Sequence, residues 1–264
     1  MPLSSEISRR TFIRDFGRGI LGISIGGTAF LSACGDSESD LSKVGTATVE
    51  RANLGIVSAY LIVRGSEVAV VDTGTVRDAR SGLTGADEIG QALDELGLGW
   101  SNVGTVIVTH HHGDHAGSLH EVMGLAGDAT VGTGGGDIEL INERLELHLG
   151  VKPPPLTVFE DGQTVFGTTI ISTPGHTTGH IAVWDEETSV LIAGDALNGD
   201  ANGGGVETVD GVGGPNSRRS EDMAAAIESA RKLAALQPET IFFGHGAPKL
   251  GGAAAAVNAL LDQL

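Results

Sequence analysis

Apolar residues in this chain fall mostly in short blocks, and two periodicities recur among them. Thr46–Arg51, Ser58–Arg64 and Glu67–Asp72 alternate or run apolar, which predicts an opening antiparallel sheet. Val103–Thr109 reads as a buried strand. Gly85–Leu96 sets Ile89, Leu93 and Leu96 at helical spacing before a stop at Gly97. Ile138–Leu149 does the same with Ile138, Ile141, Leu145 and Leu149. Ala116–Gly124 predicts a short helix that Asp114 is placed to cap. Further strands are expected over Leu156–Phe159, Thr164–Phe166, Thr168–Thr173, His180–Trp184, Ser189–Ala193 and Glu239–Phe243. Ser220–Leu236 predicts a helix with Met223, Ile227, Ala230 and Leu233 on one face, and Ala253–Leu264 a closing helix. The class is α/β, with two sheets covered by helices.

Composition changes this picture mainly at the N-terminus. The 264 residues suit one large domain or two small ones, with 40% hydrophobic residues and 41 glycines, about twice the usual glycine share. Ser8-Arg9-Arg10-Thr11-Phe12-Ile13-Arg14 resembles a twin-arginine export signal. The weakly apolar Gly19–Ala33 that follows is shorter than the ~20 residues of a membrane span. Leu31-Ser32-Ala33-Cys34 resembles a bacterial lipoprotein cleavage box, implying a lipid on Cys34; an uncleaved anchor, or cleavage without lipid, stays open. The expected organisation is therefore a signal over 1–33, a lipid-anchor cysteine and tether over 34–45, and one folded domain over 46–264. Such a protein would be periplasmic or held on the outer face of the cytoplasmic membrane.

Charge then narrows the partners. Cleavage before Cys34 removes four arginines and two acids, taking the formal net charge from −18 to −20 and leaving 12 of 16 Lys and Arg. Nucleic acid is a poor partner for such a surface, and membrane contact is expected only through Cys34. A single cysteine excludes an internal disulfide framework and a multi-cysteine zinc site.

The chemistry concentrates where Val106-Ile107-Val108 ends in Thr109-His110-His111-His112-Gly113-Asp114-His115. Clustered imidazoles compete for few donors when buried, and a divalent cation removes that conflict. In extended backbone His110 and His112 project to one side, while Gly113 lets Asp114 and His115 aim elsewhere. Two adjacent cations fit this better than one, with a solvated histidine loop or a lone structural zinc as the plainer readings. Three later strand ends present one ligand-type residue beside glycine: Gly175-His176, Gly194-Asp195 and Gly244-His245-Gly246.

This series, His110-x-His112-x-Asp114-His115, then His176, Asp195 and His245, resembles the metallo-β-lactamase superfamily over about residues 46–264. The resemblance implies an αββα sandwich of two mixed sheets. It also implies one metal on His110, His112 and His176, a second on Asp114, His115 and His245, and Asp195 bridging them. Val70-Val71-Asp72-Thr73-Gly74 is similar to an early turn of the family, implying that Asp72 supports the site from behind. The implied activity is hydrolysis of a small ester, lactone or thioester by hydroxide on a pair of zinc ions, with Asp114 and Asp195 orienting the water and taking its proton. Manganese or iron at one position stays open. So do a β-lactam substrate, iron-dependent sulfur or oxygen chemistry, and a non-catalytic lipoprotein on this scaffold.

The remaining candidates are read singly. His111 should point away from its neighbours, and His180 resembles a histidine position of related thioesterases, with a place behind the ligands and a plain structural role equally open. His120 and His148 are expected at the surface and Tyr60 in the core; Thr109 and Thr177 could bond imidazoles or serve turns. An aspartate at 195 resembles the thioesterase and lactonase branches. Only 19 residues follow His245, too few for the helical domain of glyoxalase II. The Gly-rich stretch Ala196–Ser217, with Asp200, Glu207 and Asp210, is expected to overhang the pocket as a mobile loop and to discourage strongly anionic substrates.

Overall fold

Two six-stranded sheets stack at the centre, and the alternation along each strand decides which layer a side chain enters. The computed structural model describes residues 47–150, 153, 155–199 and 207–264. The expected export signal, tether and Cys34 lie outside the described residues.

The first sheet runs in chain order through β1 (Thr48–Asn53), β2 (Ser58–Arg64), β3 (Glu67–Val71), β4 (Val103–Ile107), β5 (Thr130–Thr133) and β6 (Thr157–Val158). Its first two pairings are antiparallel and its last three parallel. The parallel steps pass through α1 (Gly85–Glu95), α2 (Leu119–Ala126) and α3 (Ile138–Leu149). The second half contains β7 (Thr164–Val165), β8 (Thr168–Ser172), β9 (Ile181–Asp185) and β10 (Val190–Ile192). A small patch follows, made of β11 (Asn198–Gly199), β12 (Thr208–Val209) and β13 (Val212–Gly213). Then come α4 (Met223–Ala235), β14 (Thr240–Phe242), β15 (Lys249–Leu250) and α5 (Ala253–Leu261). The second sheet is ordered β7-β8-β9-β10-β14-β15, and only β10 and β14 pair in parallel.

The layers follow from period two. Tyr60, Ile62, Ala69, Val71 and Ile107 meet Ile170, Ile181, Val183, Ile192 and Phe242 between the sheets. Their neighbours Leu61, Val68, Val70 and Val106 face the buried sides of α1, α2 and α3. Ile171, Ala182, Trp184, Leu191 and Ile241 face α4 and α5. Each fully buried Val, Leu or Ile contributes about 1.5–3 kcal/mol, so a one-residue slip of a central strand would invert every such assignment at large cost. This is the expected αββα sandwich.

Local chemistry sets the ends of the helices. Thr84 and Asp87 exchange hydrogen bonds of 3.1 and 2.9 Å across the first turn of α1, and Ile89 and Leu93 are buried while Leu96 is not. Leu96 sits at the C-terminal cap, where the chain has turned off the helical face. Asp114 does not cap α2. That helix begins after Ser118, because Gly113–Ser118 is occupied by turns in which His115 N and Ala116 N both donate to His112 O. On α4 the buried face is Ala226, Ser229, Ala230, Leu233 and Ala234, with Met223 and Ile227 only half-buried. His120 is half-buried near the start of α2 and stacks on the exposed His148, with ring centroids 4.7 Å apart.

The described parts of the stretch after Asp195, residues 196–199 and 207–217, are held to the domain. Ala196 to Gly199 are buried, Leu197 and Val212 join the core under α5, and β11 pairs with β13. Gly199 N donates to His245 O at 2.8 Å, and exposed Asp210 pairs with Lys249 at 2.8 Å. Both ends of this segment are therefore packed into the domain. An apolar Leu197 and Val212 within a glycine-rich run decide this.

A buried ion pair also joins the sheets, away from the histidine-bearing strand ends. Arg64, closing β2, is buried and reaches Asp185 Oδ2, closing β9, at 2.8 Å. The same guanidinium donates to Phe166 O at 3.1 Å and Gly167 O at 3.2 Å.

Candidate metal centre

The site assembles where β3, β4, β8, β10 and β14 end on one side of the sandwich. Asp72 follows β3 with φ of 63°, a left-handed conformation that aspartate tolerates better than most residues. Its buried carboxylate thereby accepts from Thr109 N at 2.7 Å, Thr109 Oγ1 at 2.9 Å and His115 Nδ1 at 2.7 Å. Thr109 Oγ1, having donated its proton, is left to receive that of His110 Nδ1 at 3.0 Å. One carboxylate thus fixes two rings, and both turn Nε2 inward.

Three imidazoles meet there without enough protons to go round. His112 Nδ1 lies 3.0 Å from both His110 Nε2 and His176 Nε2. Burial drives His110 well below the ordinary histidine range, His115 adding to the effect. Burial also lowers His112 and takes His176 to about 4. All three rings are neutral at pH 7, and with the His110 proton on Nδ1 at most one of the two contacts at His112 Nδ1 is a good hydrogen bond.

A second group lies beside them. His245 Nδ1 donates to Ile56 O at 2.6 Å, which aims Nε2 at Asp114 Oδ2 and Asp195 Oδ2, both 3.3 Å away. His115 Nε2 approaches Asp195 Oδ1 at 3.3 Å and His245 Nε2 at 3.4 Å. Burial alone would lower both rings. Asp195 and Asp72 outweigh it at His115, which rises well above the ordinary value, and Asp114 and Asp195 take His245 to about 10. Burial likewise opposes ionisation of Asp114 and Asp195, yet the same histidines hold both carboxyls below their usual range.

Asp195 stands between the groups, with Oδ2 also 3.4 Å from His176 Nε2. Its buried Oδ1 accepts no well-formed hydrogen bond. Gly244 must lack a side chain here, since a Cβ would overlap Asp195 Oδ1 and the His115 ring. His180 supports Asp195 from behind. Its Nε2 accepts from Asp195 N at 3.1 Å, so Nδ1 carries the proton and bonds Thr173 Oγ1 at 2.7 Å; burial keeps it neutral, at about 3.

All seven expected ligand-type residues converge, in three overlapping groups whose ligand atoms lie within 4.8 Å of one another. His110, His112 and His176 form one; Asp114, His115 and His245 another; His110, His115 and Asp195 the third. The donor chemistry fits a pair of divalent cations. Imidazoles that cannot all be paired and a carboxylate oxygen without a well-formed hydrogen bond are costly when buried, and nitrogen-rich and mixed carboxylate sites suit borderline cations. Tyr60 is absent from the site: its hydroxyl donates to Phe243 O at 2.5 Å, and burial pushes it up to about 12.

His111 turns away, as its place between two convergent rings requires, and meets an acid that the motifs do not single out. Asp137 is buried, and its Oδ2 accepts from His111 N at 2.8 Å and Thr177 Oγ1 at 2.7 Å, with His111 Nδ1 3.2 Å away. Burial would raise this carboxyl; the contacts with His111, Thr177 and Gly179 hold it below the usual range. Its only sequence signal is an acid after Gly134-Gly135-Gly136 at the start of a helix, which looks like an ordinary cap.

Comparison with known proteins agrees with this geometry. The profile of the Metallo-beta-lactamase superfamily matches residues 52–245. A hydroxyacylglutathione hydrolase of Rhodospirillum rubrum is 33% identical over 155 residues, which cover 56% of this chain and 50% of that protein. The probable metallo-hydrolase YflN of Bacillus subtilis is 29% identical, covering 62% of this chain and 71% of YflN. Among solved structures, the metallo-beta-lactamase family protein TTHA1429 of Thermus thermophilus superposes with a TM-score of 0.58 at 27% identity, covering 82% of this chain and 78% of that one. TTHA1623 in a di-iron-bound form gives 0.56 at 25% identity, over 76% and 93%. The chain thus spans half the length of the Rhodospirillum enzyme.

Proposed function

The chain belongs to the metallo-beta-lactamase superfamily, and from that premise we propose that it is a metal-dependent hydrolase of a small thioester or ester, with a lactone as the nearest alternative. The observation that carries this is Asp195, buried between three neutral imidazoles on one side and His115, His245 and Asp114 on the other. His110, His112 and His176 would hold one cation, Asp114, His115 and His245 a second, and Asp195 both. Bound there, two cations supply Lewis acidity toward a carbonyl oxygen and bring the pKa of a water toward neutrality.

The rest is done by side chains. Asp114 and Asp195 orient the attacking water and accept its proton. Asp72 and Thr109 keep His110 and His115 in the tautomers that face inward, and His180 fixes Asp195 through its backbone. The names of the Rhodospirillum relative and of a Cereibacter sphaeroides hydroxyacylglutathione hydrolase, 32% identical over 178 residues, support a thioester as the first class to try. Zinc suits the imidazole-rich set, and the di-iron form of TTHA1623 makes iron the specific rival.

The test is a turnover screen of hydroxyacyl thioesters, aryl esters, lactones and β-lactams on protein whose zinc, iron and manganese have been assayed. Thioester or ester cleavage that disappears on chelation and returns with metal is expected. Full metal occupancy with no turnover across the panel would overturn the assignment.

A further inference from the structure

Asp137 lies outside the seven converging residues, yet it touches both segments that supply the neutral imidazole trio. His111, whose N–H it accepts, separates His110 from His112; Thr177, whose hydroxyl it accepts, follows His176. Its other oxygen, Oδ1, accepts from Gly179 N at 2.7 Å. One buried carboxylate therefore spans the loop after β4 in the first sheet and the loop after β8 in the second.

Independent backbone packing brings it there. A Cβ on Gly134 would overlap Gly179 O, one on Gly136 would stand 2.8 Å from Gly179 N, and one on Gly179 would overlap Asp137 N. Only bare backbone lets the turn before α3 lie flat on the 176–180 loop at this distance. α3 adds a second grip: Arg144 Nη2 donates to His111 O at 3.2 Å, so the residue between the two ligand histidines is held at both its N–H and its carbonyl.

We propose that Asp137 is a positioning residue for the His110–His112–His176 cation site, setting the separation of the two loops before any cation arrives. This rests on the metal-site reading above. Without Asp137, His111 N, Thr177 Oγ1 and Gly179 N lose a common acceptor in a buried place, and each loop relaxes toward its own partners. The Asp114–His115–His245 group is tied instead through Asp72 and Ile56 and should be spared.

The experiment compares the full wild-type chain with D137A and T177V. Cobalt(II) and zinc(II) are titrated into metal-stripped protein against a chromophoric chelator, with the cobalt d–d spectrum followed. Loss of a second-layer partner of this kind costs about 10–100-fold in metal affinity. D137A should show that loss at one of two sites, with the cobalt band of that site shifted, while the other site keeps wild-type affinity. T177V, which removes one hydrogen bond, should show a smaller loss of the same sign, about threefold to tenfold. Wild-type affinity at both sites in D137A overturns the proposal, and so does equal weakening of both. If D137A does not fold, T177V decides alone: a selective loss supports the proposal and unchanged binding overturns it. A wild-type chain that binds no cation pair refutes the metal-site reading and this proposal together, whereas two intact sites in D137A refute this proposal only.

Discussion

Strand β9 carries a buried ionic cluster at each end, and the two are built on opposite terms. At its close, Asp185 meets Arg64, whose guanidinium also feeds Phe166 O and Gly167 O. The guanidinium and the carboxylate there each meet partners within the protein, Glu187 among them. Just before its start, His180 leads into a region where three close imidazoles cannot all be paired and Asp195 Oδ1 accepts no well-formed hydrogen bond. The first arrangement is complete within the protein. The second gathers ligand-type atoms that the protein does not pair, so burial of charge alone does not mark a candidate site; unmatched acceptors that converge with ligand-type side chains do.

The largest expected effect breaks the complete cluster. R64A should cost about 3–5 kcal/mol, because it strands Asp185 as a lone buried charge, while metal content and kcat stay near wild type. The double variant R64M/D185L should recover most of that loss, since a buried pair is often replaceable by apolar groups. Paired thermal melts and metal assays check both. H112A should do the reverse: thioester turnover falls more than about 100-fold, beyond the usual second-layer loss, while the metal-free melting temperature moves little. If H112A leaves kcat intact, the site at this end of β9 is not the reactive one. The smallest effect sharpens the boundary of the site. Y60F removes one buried hydrogen bond to Phe243 O and should cost about 1 kcal/mol with no change in the pH–rate profile. A displaced pH–rate profile would place Tyr60 in the chemistry after all.

Much of this is legible in the chain because strand ends carry their own signals. His110 to His115, His176, Asp195 and His245 each follow a short apolar run beside glycine, and the structure gathers them. Asp72 and His180 stand behind the groups they support, where an inward-facing imidazole or carboxylate needs an outer partner. Asp137 is not legible. Its place depends on Gly134, Gly136 and Gly179 touching across the two halves, and no local pattern reports a contact over some forty residues. Asp114 resembles a cap because its spacing to α2 is close to right, but the turn at 113–118 intervenes. In the segment after Asp195 the glycines suggest a mobile overhang, and composition gives no sign that Leu197 and Val212, in its described parts, pack into the core.

The two six-stranded sheets contribute unequally but jointly to the centre: His110, His112, Asp114 and His115 come from the first, and His176, Asp195 and His245 from the second. A captured ion would therefore act as a rivet through both leaves of the sandwich. Neither leaf alone offers a full set of ligands for either site, so closure of the leaves and uptake of the ion would favour one another.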